Sequence, residues 1–350
     1  MNIFCTLFDS NYLDKGVVLY QSLKEAESDF KLYILAMDEA CFSILSKMAL
    51  PQMVLIDIKS FETDDLKRIR KERSRQEYCW TCGCFTVKYV LEHYGEPVCT
   101  YIDADMFFYD STQSLFDEFN KSGKSVGIMP HRFPDCQEGR EQEQLSGKYC
   151  VEFNTFKNDK SGKEVLEWWC SKCLEECRGQ GTGGWFGDQK YLDRWEELFD
   201  SIYVYRHWGA GVAPWNVSQY RIVKKRDGKK TDILLRTKKT EESFPLIFYH
   251  FHQIVYLDNN LASTGINLRP GKTDRRWEEI YRGYLRQLDE ARKELKKKGD
   301  IDLYAGTKYE QLPDKLRQAG SYLKSDYAIP RKCSMIWRIL VRRNRDIINY

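Results

Sequence analysis

The stretch Val98-Cys99-Thr100-Tyr101-Ile102-Asp103-Ala104-Asp105-Met106-Phe107-Phe108 decides how this chain reads. It is almost continuously apolar, as a strand buried on both faces would be, and two carboxylates interrupt it. Side chains two apart in extended backbone project to the same side, so Asp103 and Asp105 form a pair. Open α/β sheets bind ligands at the carboxyl ends of their strands. A carboxylate pair there suits one hard divalent ion, which in turn neutralises a diphosphate. Solvated turns also contain D-x-D. The apolar run before the acids, and the elements on either side, favour a site.

Upstream, strand and helix patterns alternate. Residues 2–8 alternate toward a strand, and Lys15–Glu27 carries Val18, Leu19, Ser22 and Leu23 on one helical face. Residues 30–38 and 53–58 are apolar strands around a short helix at 39–48. Residues 63–76 read as a charged helix or lid, and 84–94 as a helix stopped by Gly95 and Pro97. Downstream, strands are expected at 125–131, 149–156, 201–206 and 244–257, with helices at 163–178 and starting at 188–195. The polar segment 132–148 is expected to be mobile, GQGTGG (179–184) a flexible loop, and 221–242 too charged for a core element. This alternation predicts an α/β fold with a mixed, mainly parallel sheet flanked by helices. It divides into one domain over residues 1–265 and a helical, basic extension over 266–350.

Composition bounds the rest. With 350 residues, 42% hydrophobic and 31% charged, a sizeable core is available and global disorder is excluded. The net charge of +3 argues against a dedicated nucleic-acid binder, but it hides a polarity. Residues 269–350 hold 21 Lys and Arg against 12 Asp and Glu, a net of +9, which leaves −6 for residues 1–268. No apolar run approaches the ~18 residues that span a bilayer, and no signal peptide is visible. The expectation is a cytoplasmic protein whose twelve cysteines stay reduced. Cys79, Cys82 and Cys84, and Cys170, Cys173 and Cys177, could offer zinc ligands. The second set shares helical spacing with Val165, Leu166, Trp169 and Leu174, which favours packed core thiols over a zinc site.

Further motifs follow in order. Asp9-Ser10-Asn11-Tyr12 succeeds the first strand, and Phe153-Asn154, Gly187-Asp188-Gln189 and Trp215-Asn216 come later. In FYHFHQ (248–253), His250 and His252 face one side of a strand and invite a metal or a phosphate. In these motifs, across residues 2–255, the chain resembles nucleotide-sugar glycosyltransferases of the GT-A fold. The likeness is to the retaining family eight, which includes glycogenin and bacterial lipopolysaccharide galactosyltransferases. The resemblance implies a donor nucleotide-sugar held by Thr6, Asp9, Asn11, Tyr12, Lys88, Asp103, Ala104, Asn154 and His252. It implies Mn²⁺ or Mg²⁺ on Asp103, Asp105 and His250, and catalysis by Asp188 and Gln189.

Two departures stand out. Gln253-Ile254-Val255-Tyr256 replaces the family's phosphate-binding Gly and Lys-Pro-Trp, which leaves that role to His252 or a lysine within 221–239. Lys190 replaces the second Asp of the family's D-Q-D, so stereochemistry need not carry over. With retention, Gln189 would stabilise charge during front-face attack. With inversion, Asp188 would act as general base. Asp188 also reads as an ordinary helix N-cap. Among Trp185, Phe186, Trp208 and Trp215, the acceptor-site candidates are Trp208 and Trp215, while Phe186 reads as core.

The expected function is metal-dependent transfer from an NDP-sugar, UDP-linked, to a glycan or lipid-linked acceptor in envelope polysaccharide or lipopolysaccharide synthesis. A sugar-phosphate nucleotidyltransferase is the alternative, but residues 8–20 offer only Lys15 and Gly16 toward a triphosphate loop. A non-catalytic nucleotide- or glycan-binding module is a third reading. The last stretch, PRKCSMIWRILVRRNRDIINY (330–350), interleaves apolar and basic residues. It fits either a peripheral contact with an anionic membrane surface, on the cytoplasmic face, or a capping helix.

Overall fold

The structure, a computed structural model, describes residues 1–179, 186–225, 233–237, 242–258, 261–266, 275–299 and 347–349. The chain starts with β1 (Asn2–Phe8), α1 (Leu13–Ala26), β2 (Phe30–Ala36), α2 (Glu39–Met48) and β3 (Met53–Asp57). Next come α3 (Ile58–Phe61), α4 (Asp64–Glu72), α5 (Arg75–His93), β4 (Val98–Ile102) and β5 (Met106–Phe108). Then follow α6 (Gln113–Ser122), β6 (Val126–Pro130), α7 (Gln137–Ser146), β7 (Tyr149–Lys157), α8 (Lys160–Glu175) and α9 (Trp195–Leu198). After β8 (Ile202–Val204), short strands dominate: β9 (Tyr220–Lys225), β10 (Ile233–Thr237), β11 (Phe244–Pro245), β12 (Phe248–His250), β13 (Val255–Asp258) and β14 (Leu261–Ser263). The long helix α10 (Arg276–Lys298) and β15 (Ile347–Asn349) complete the described elements.

The main sheet runs β3-β2-β1-β4-β7-β6-β8. Strands β3, β2, β1 and β4 are parallel, as are β6 and β8, while β7 runs antiparallel to both of its neighbours. This is the mixed, mainly parallel sheet that the sequence predicts. Alternation along β1 shows why both faces are covered. Phe4 and Phe8 point into one core with α1, α2, α6 and α10. Ile3, Cys5 and Leu7 point into the other, with α4, α5 and α8. Each such large apolar side chain, fully buried, contributes roughly 1.5–3 kcal/mol. Helix α1 lies so close to β1 that a Cβ on Gly16 would sit 2.2 Å from the Phe8 ring.

Several boundaries differ from the sequence expectation. The helix expected at 84–94 starts at Arg75, because Ser74 and Glu77 form a capping box. The charged segment 63–76 is therefore split between α4, capped by Thr63, and the start of α5. Arg73, at the break, donates to the carbonyls of Cys173 (2.6 Å) and Leu174 (2.8 Å). The polar segment 132–148 contains α7. The segment 188–195 holds a 3-10 turn at Lys190–Arg194 before the short α9. The excursion 221–242 does contribute to the core: β9 and β10 bury Ile222, Ile233 and Leu235 while Arg221, Val223 and Arg236 face solvent. High charge hid a period-two alternation there.

Eleven cysteines among the described residues are free. Cys82, Cys84, Cys170, Cys173 and Cys177 are buried in the second core, as packed thiols. Helix α10 belongs to the first core, where Trp277, Tyr281, Leu285 and Leu288 are buried. Its Arg292 pairs with Asp14 of α1 at 2.8 Å, both side chains sealed from solvent. Among the described residues, no helix is long and apolar enough to cross a membrane. The glycine-rich loop from residue 180 on, Trp185, most of the lysines within 221–239 and the amphipathic stretch 330–346 lie outside the described residues.

Candidate active site

Three parallel strands end in acids on one edge of the sheet. After β1, Asp9 caps the 3-10 turn Ser10–Tyr12, its Oδ1 accepting the Asn11 N–H at 2.8 Å. After β2, Asp38 caps α2 and also accepts from the Ser10 N–H (3.0 Å) and hydroxyl (2.8 Å). Arg75, the first residue of α5, donates to Asp38 Oδ2 at 2.7 Å and pairs with Asp9. After β4 comes Asp103.

The D-x-D occupies the break between β4, which stays in the main sheet, and β5, which leaves it to pair with β12. In that antiparallel pairing Met106 lies opposite His250. The late histidine is thus delivered to the acids by strand register. His250 Nε2 stands 3.0 Å from Asp105 Oδ1 and 3.8 Å from Asp103 Oδ2. Its other nitrogen, Nδ1, is 2.7 Å from Glu152 Oε2 on β7. Glu152 is completely buried, and its Oε1 has no partner. His252 completes the group: one atom each from Asp105, His250 and His252 lie within 4.8 Å of one another. Trp215 packs edge-on against both imidazoles, with centroids 5.3 and 5.7 Å away.

Charges in this group are strongly interdependent. Burial lifts the Asp103 carboxyl to about 6, with Asp105 and Glu152 adding to the rise against the pull of His250. Burial would lift Asp105 too, but the adjoining His250 holds it well below the ordinary carboxylate range. His250 is raised in return: its burial favours the neutral form, and Asp105 and Glu152 outweigh it. The Tyr12 hydroxyl is raised by burial and then by Asp105, although the residue is 41% exposed. The donor set fits a divalent ion: one carboxylate and two imidazoles converge, and the buried Glu152 behind them fixes His250. Two nitrogens favour Mn²⁺ over Mg²⁺, which prefers oxygen ligands.

Asp188 is buried beside the D-x-D. Its carboxyl is raised by burial, then by Cys173 and Asp103. A Cβ on Gly83 of α5 would lie 3.6 Å from Asp188 Oδ2 and 3.7 Å from the Tyr101 ring, so glycine makes room there. No helix starts at Asp188, and the residue before the 3-10 turn is Gln189. The Gln189 amide donates to the Ser146 carbonyl at 2.8 Å. Asn154 is wholly buried on β7. With its amide nitrogen turned inward it faces the Cys150 and Phe153 carbonyls, at 3.3 and 3.1 Å.

Other expected residues lie apart or play supporting parts. Thr6 is sealed within β1, its hydroxyl unpartnered. Ala104 is buried between the two acids. Lys88 faces Glu92 at 3.8 Å. At 1.5 Å per residue it lies about 20 Å along α5 from Arg75, away from the acidic strand ends. Trp208 packs with Tyr220 and lies under the Arg132 guanidinium, 5.3 Å from its ring centre. Trp215 and Asn216 both donate to the His131 carbonyl, at 3.0 and 2.8 Å, which makes the W-N pair a brace for the histidines.

Sequence reading missed Glu152 and Arg75. Glu152 had a signal: it is a lone acid in the apolar run Tyr149-Cys150-Val151-Glu152-Phe153, where a buried charge needs a partner. Arg75 had none, since it sits in a segment rich in exposed Arg and Lys.

No protein-family model matches the chain. The uncharacterized protein YfnF of Bacillus subtilis is 34% identical over 253 residues, covering 71% of this chain and 80% of YfnF. The uncharacterized protein YfnD of the same organism is 26% identical over 251 residues, covering 71% of this chain and 76% of YfnD. Among solved structures, an active-site mutant of LgtC superposes with a TM-score of 0.49 at 14% identity, covering 87% of this chain and 99% of LgtC. The galactosyltransferase LgtC with donor and acceptor sugar analogues gives 0.39 at 16% identity, covering 58% and 73%. By its identity to YfnF over four fifths of that protein, this chain belongs to the YfnF family.

Proposed function

We propose that the chain is a metal-dependent glycosyltransferase of the GT-A type that takes its sugar from a nucleoside diphosphate sugar. One observation carries this reading: the β5–β12 register sets His250 against Asp105, with Glu152 buried behind the imidazole. A divalent ion held by Asp105, His250 and His252, with Asp103 beside them, would supply Lewis acidity toward the leaving diphosphate. Glu152 accepts from His250 Nδ1–H, which fixes the tautomer and turns Nε2 toward Asp105. Asp9 and Asp38 offer acceptors to a nucleoside at the neighbouring strand ends, and Arg75 is the cation that a base or ribose would displace from them. Asp188, its carboxyl raised by burial, lies beside Asp103, and Gln189 adjoins it.

The finer parts of the proposal follow the motifs. The nucleoside is uridine, transfer retains configuration through Gln189, and the sugar is a hexose. The acceptor is a glycan or lipid-linked glycan of envelope polysaccharide or lipopolysaccharide, met at the cytoplasmic face. Free thiols suit a reducing compartment. Asp103, Ala104, Asn154 and Trp215 surround the donor-sugar and acceptor side, and Trp208 remains the outer aromatic candidate.

The test is release of nucleoside diphosphate from a panel of NDP-sugars, with and without Mn²⁺. Slow, Mn²⁺-dependent release is expected, and Asp105→Asn should lower it by about a thousandfold. Full activity of Asp105→Asn at saturating Mn²⁺ would refute the proposal, as would failure of every NDP-sugar to bind.

A further inference from the structure

Lys15 is a cation in an unusual position. It lies in the first turn of α1 and is only 4% exposed. Lysines are almost never so buried without a counter-ion. Its ammonium sits 3.6 Å above the Tyr12 ring, a cation–π contact. Among the described residues it has no hydrogen bond and no ion pair. The acid next in sequence does not serve it. Asp14 Oδ1 accepts the Lys15 backbone N–H at 2.8 Å, and Oδ2 binds Arg292 at 2.8 Å.

Its helix nevertheless borders the candidate metal site: α1 follows the Asp9–Tyr12 turn at the acidic strand ends and packs on β5, where Ser22 Oγ accepts the Phe108 N–H at 3.1 Å. Tyr12, against which it stacks, has its hydroxyl within electrostatic reach of Asp105, His250 and Asp103. Lys15 itself is among the groups that stabilise the charge on Asp105. A buried cation, held by an aromatic face and with no ion pair among the described residues, is arranged for an anion that arrives. The chain also lacks the expected lysine after His252, where Gln253-Ile254-Val255-Tyr256 stands.

We infer that Lys15 is a diphosphate-binding residue, whose ammonium contacts a phosphate oxygen of the nucleoside diphosphate across the Asp105 site. This rests on the proposed donor class and names a residue for its phosphate recognition. Tyr12 would then position Lys15 through its ring and face the site with its hydroxyl.

The experiment compares binding of UDP, UMP and uridine, each with Mn²⁺, to the full chain and to Lys15→Met by titration calorimetry, with melting temperatures of the ligand-free proteins. The wild type should prefer UDP over UMP. In Lys15→Met the UDP affinity should fall by about ten- to a hundredfold, as loss of a charge-assisted hydrogen bond would give. Uridine binding should be unchanged. The ligand-free Lys15→Met protein should melt at the same or a higher temperature, because a buried unpaired charge has been removed.

An unchanged UDP-to-UMP preference in Lys15→Met would overturn the inference and leave the donor class standing. A lowered melting temperature, or a variant that fails to fold, would also overturn it, since the ammonium would then serve the fold. Absence of binding of UDP, GDP, CDP and dTDP to the wild type would instead remove the donor class itself.

Discussion

Two clusters of side chains with metal-binding chemistry lie on either side of Asp188. One is made of thiols, from α5 and α8; the other is made of carboxylates and imidazoles, from the ends and edges of strands. In the thiol cluster Cys82, Cys84, Cys170 and Cys173 project from helices into apolar packing, and Cys177 joins them just beyond α8. Cys84 donates to its own helix, at the Thr81 carbonyl 3.3 Å away, and burial pushes the Cys82 and Cys84 thiols well above their usual range. They stay neutral. In the other cluster opposite charges meet at 3.0 Å or less, and burial strengthens their coupling. Residue type does not separate the two, since cysteine is as good a ligand as histidine. The backbone does: strand ends aim alternate side chains at one point beyond the sheet, whereas a helix face aims them at its neighbour.

The strongest way to break this contrast is to unsettle the histidine. Glu152→Gln keeps the shape of the side chain but withdraws the charge that holds His250 Nδ1–H. Mn²⁺ affinity should drop by about ten- to a hundredfold, read by calorimetry. An unchanged affinity would reduce Glu152 to filling.

His131 tests the contrast from the other direction, as an imidazole treated like a thiol. It is 3% exposed and bonds the Gly147 carbonyl at 2.9 Å, and burial pushes it down to about 3. The folded state therefore keeps it neutral while the unfolded chain protonates near 6.5. Its contribution is complete above pH 6.5 and is lost as pH falls toward 3. Acidification from pH 7 to 5 should cost about 2 kcal/mol through this group. His131→Gln should flatten the pH dependence of denaturant unfolding by that amount, and parallel curves would count against neutral burial.

The smallest effect belongs to the thiols. Cys170→Ala should cost about 1 kcal/mol of stability as a packing change and leave both Mn²⁺ affinity and zinc content unaltered. Loss of stoichiometric zinc from the purified protein on this change would erase the distinction between the clusters.

Much of this was legible in the residues. Apolar runs of five to seven residues with helices between them announce a sheet covered on both faces, because only that architecture hides such strands. The break at Asp103-Ala104-Asp105 was not legible as a break, since Met106-Phe107-Phe108 reads as more of the same strand. That β5 pairs with β12 is a matter of tertiary register, which no local pattern encodes. The two histidines were visible as a pair, and the resemblance joined His250 to Asp103 and Asp105, but the place of His252 beside Asp105 needed the fold. Lys88 misled for a related reason. It lies on the expected helix, but α5 begins nine residues earlier than its apolar spacing suggests, and the residue of that helix at the acidic strand ends is Arg75. The β9–β10 hairpin was hidden by its own solvent face, whose arginines outweighed three buried aliphatics.

The pairing of Asp14 with Arg292 has a consequence for how the protein comes into being. The two residues are 278 positions apart, and each is the buried counter-charge of the other. The first turn of α1, which carries Lys15, is therefore finished only when a helix far later in the chain has docked. Until α10 has emerged, the first turn of α1 lacks the partner that neutralises it. Early chains would hold a sheet with its acidic edge formed but the neighbouring helix unsecured. The first core would then close late and all at once, with the docking of α10 as its timing event.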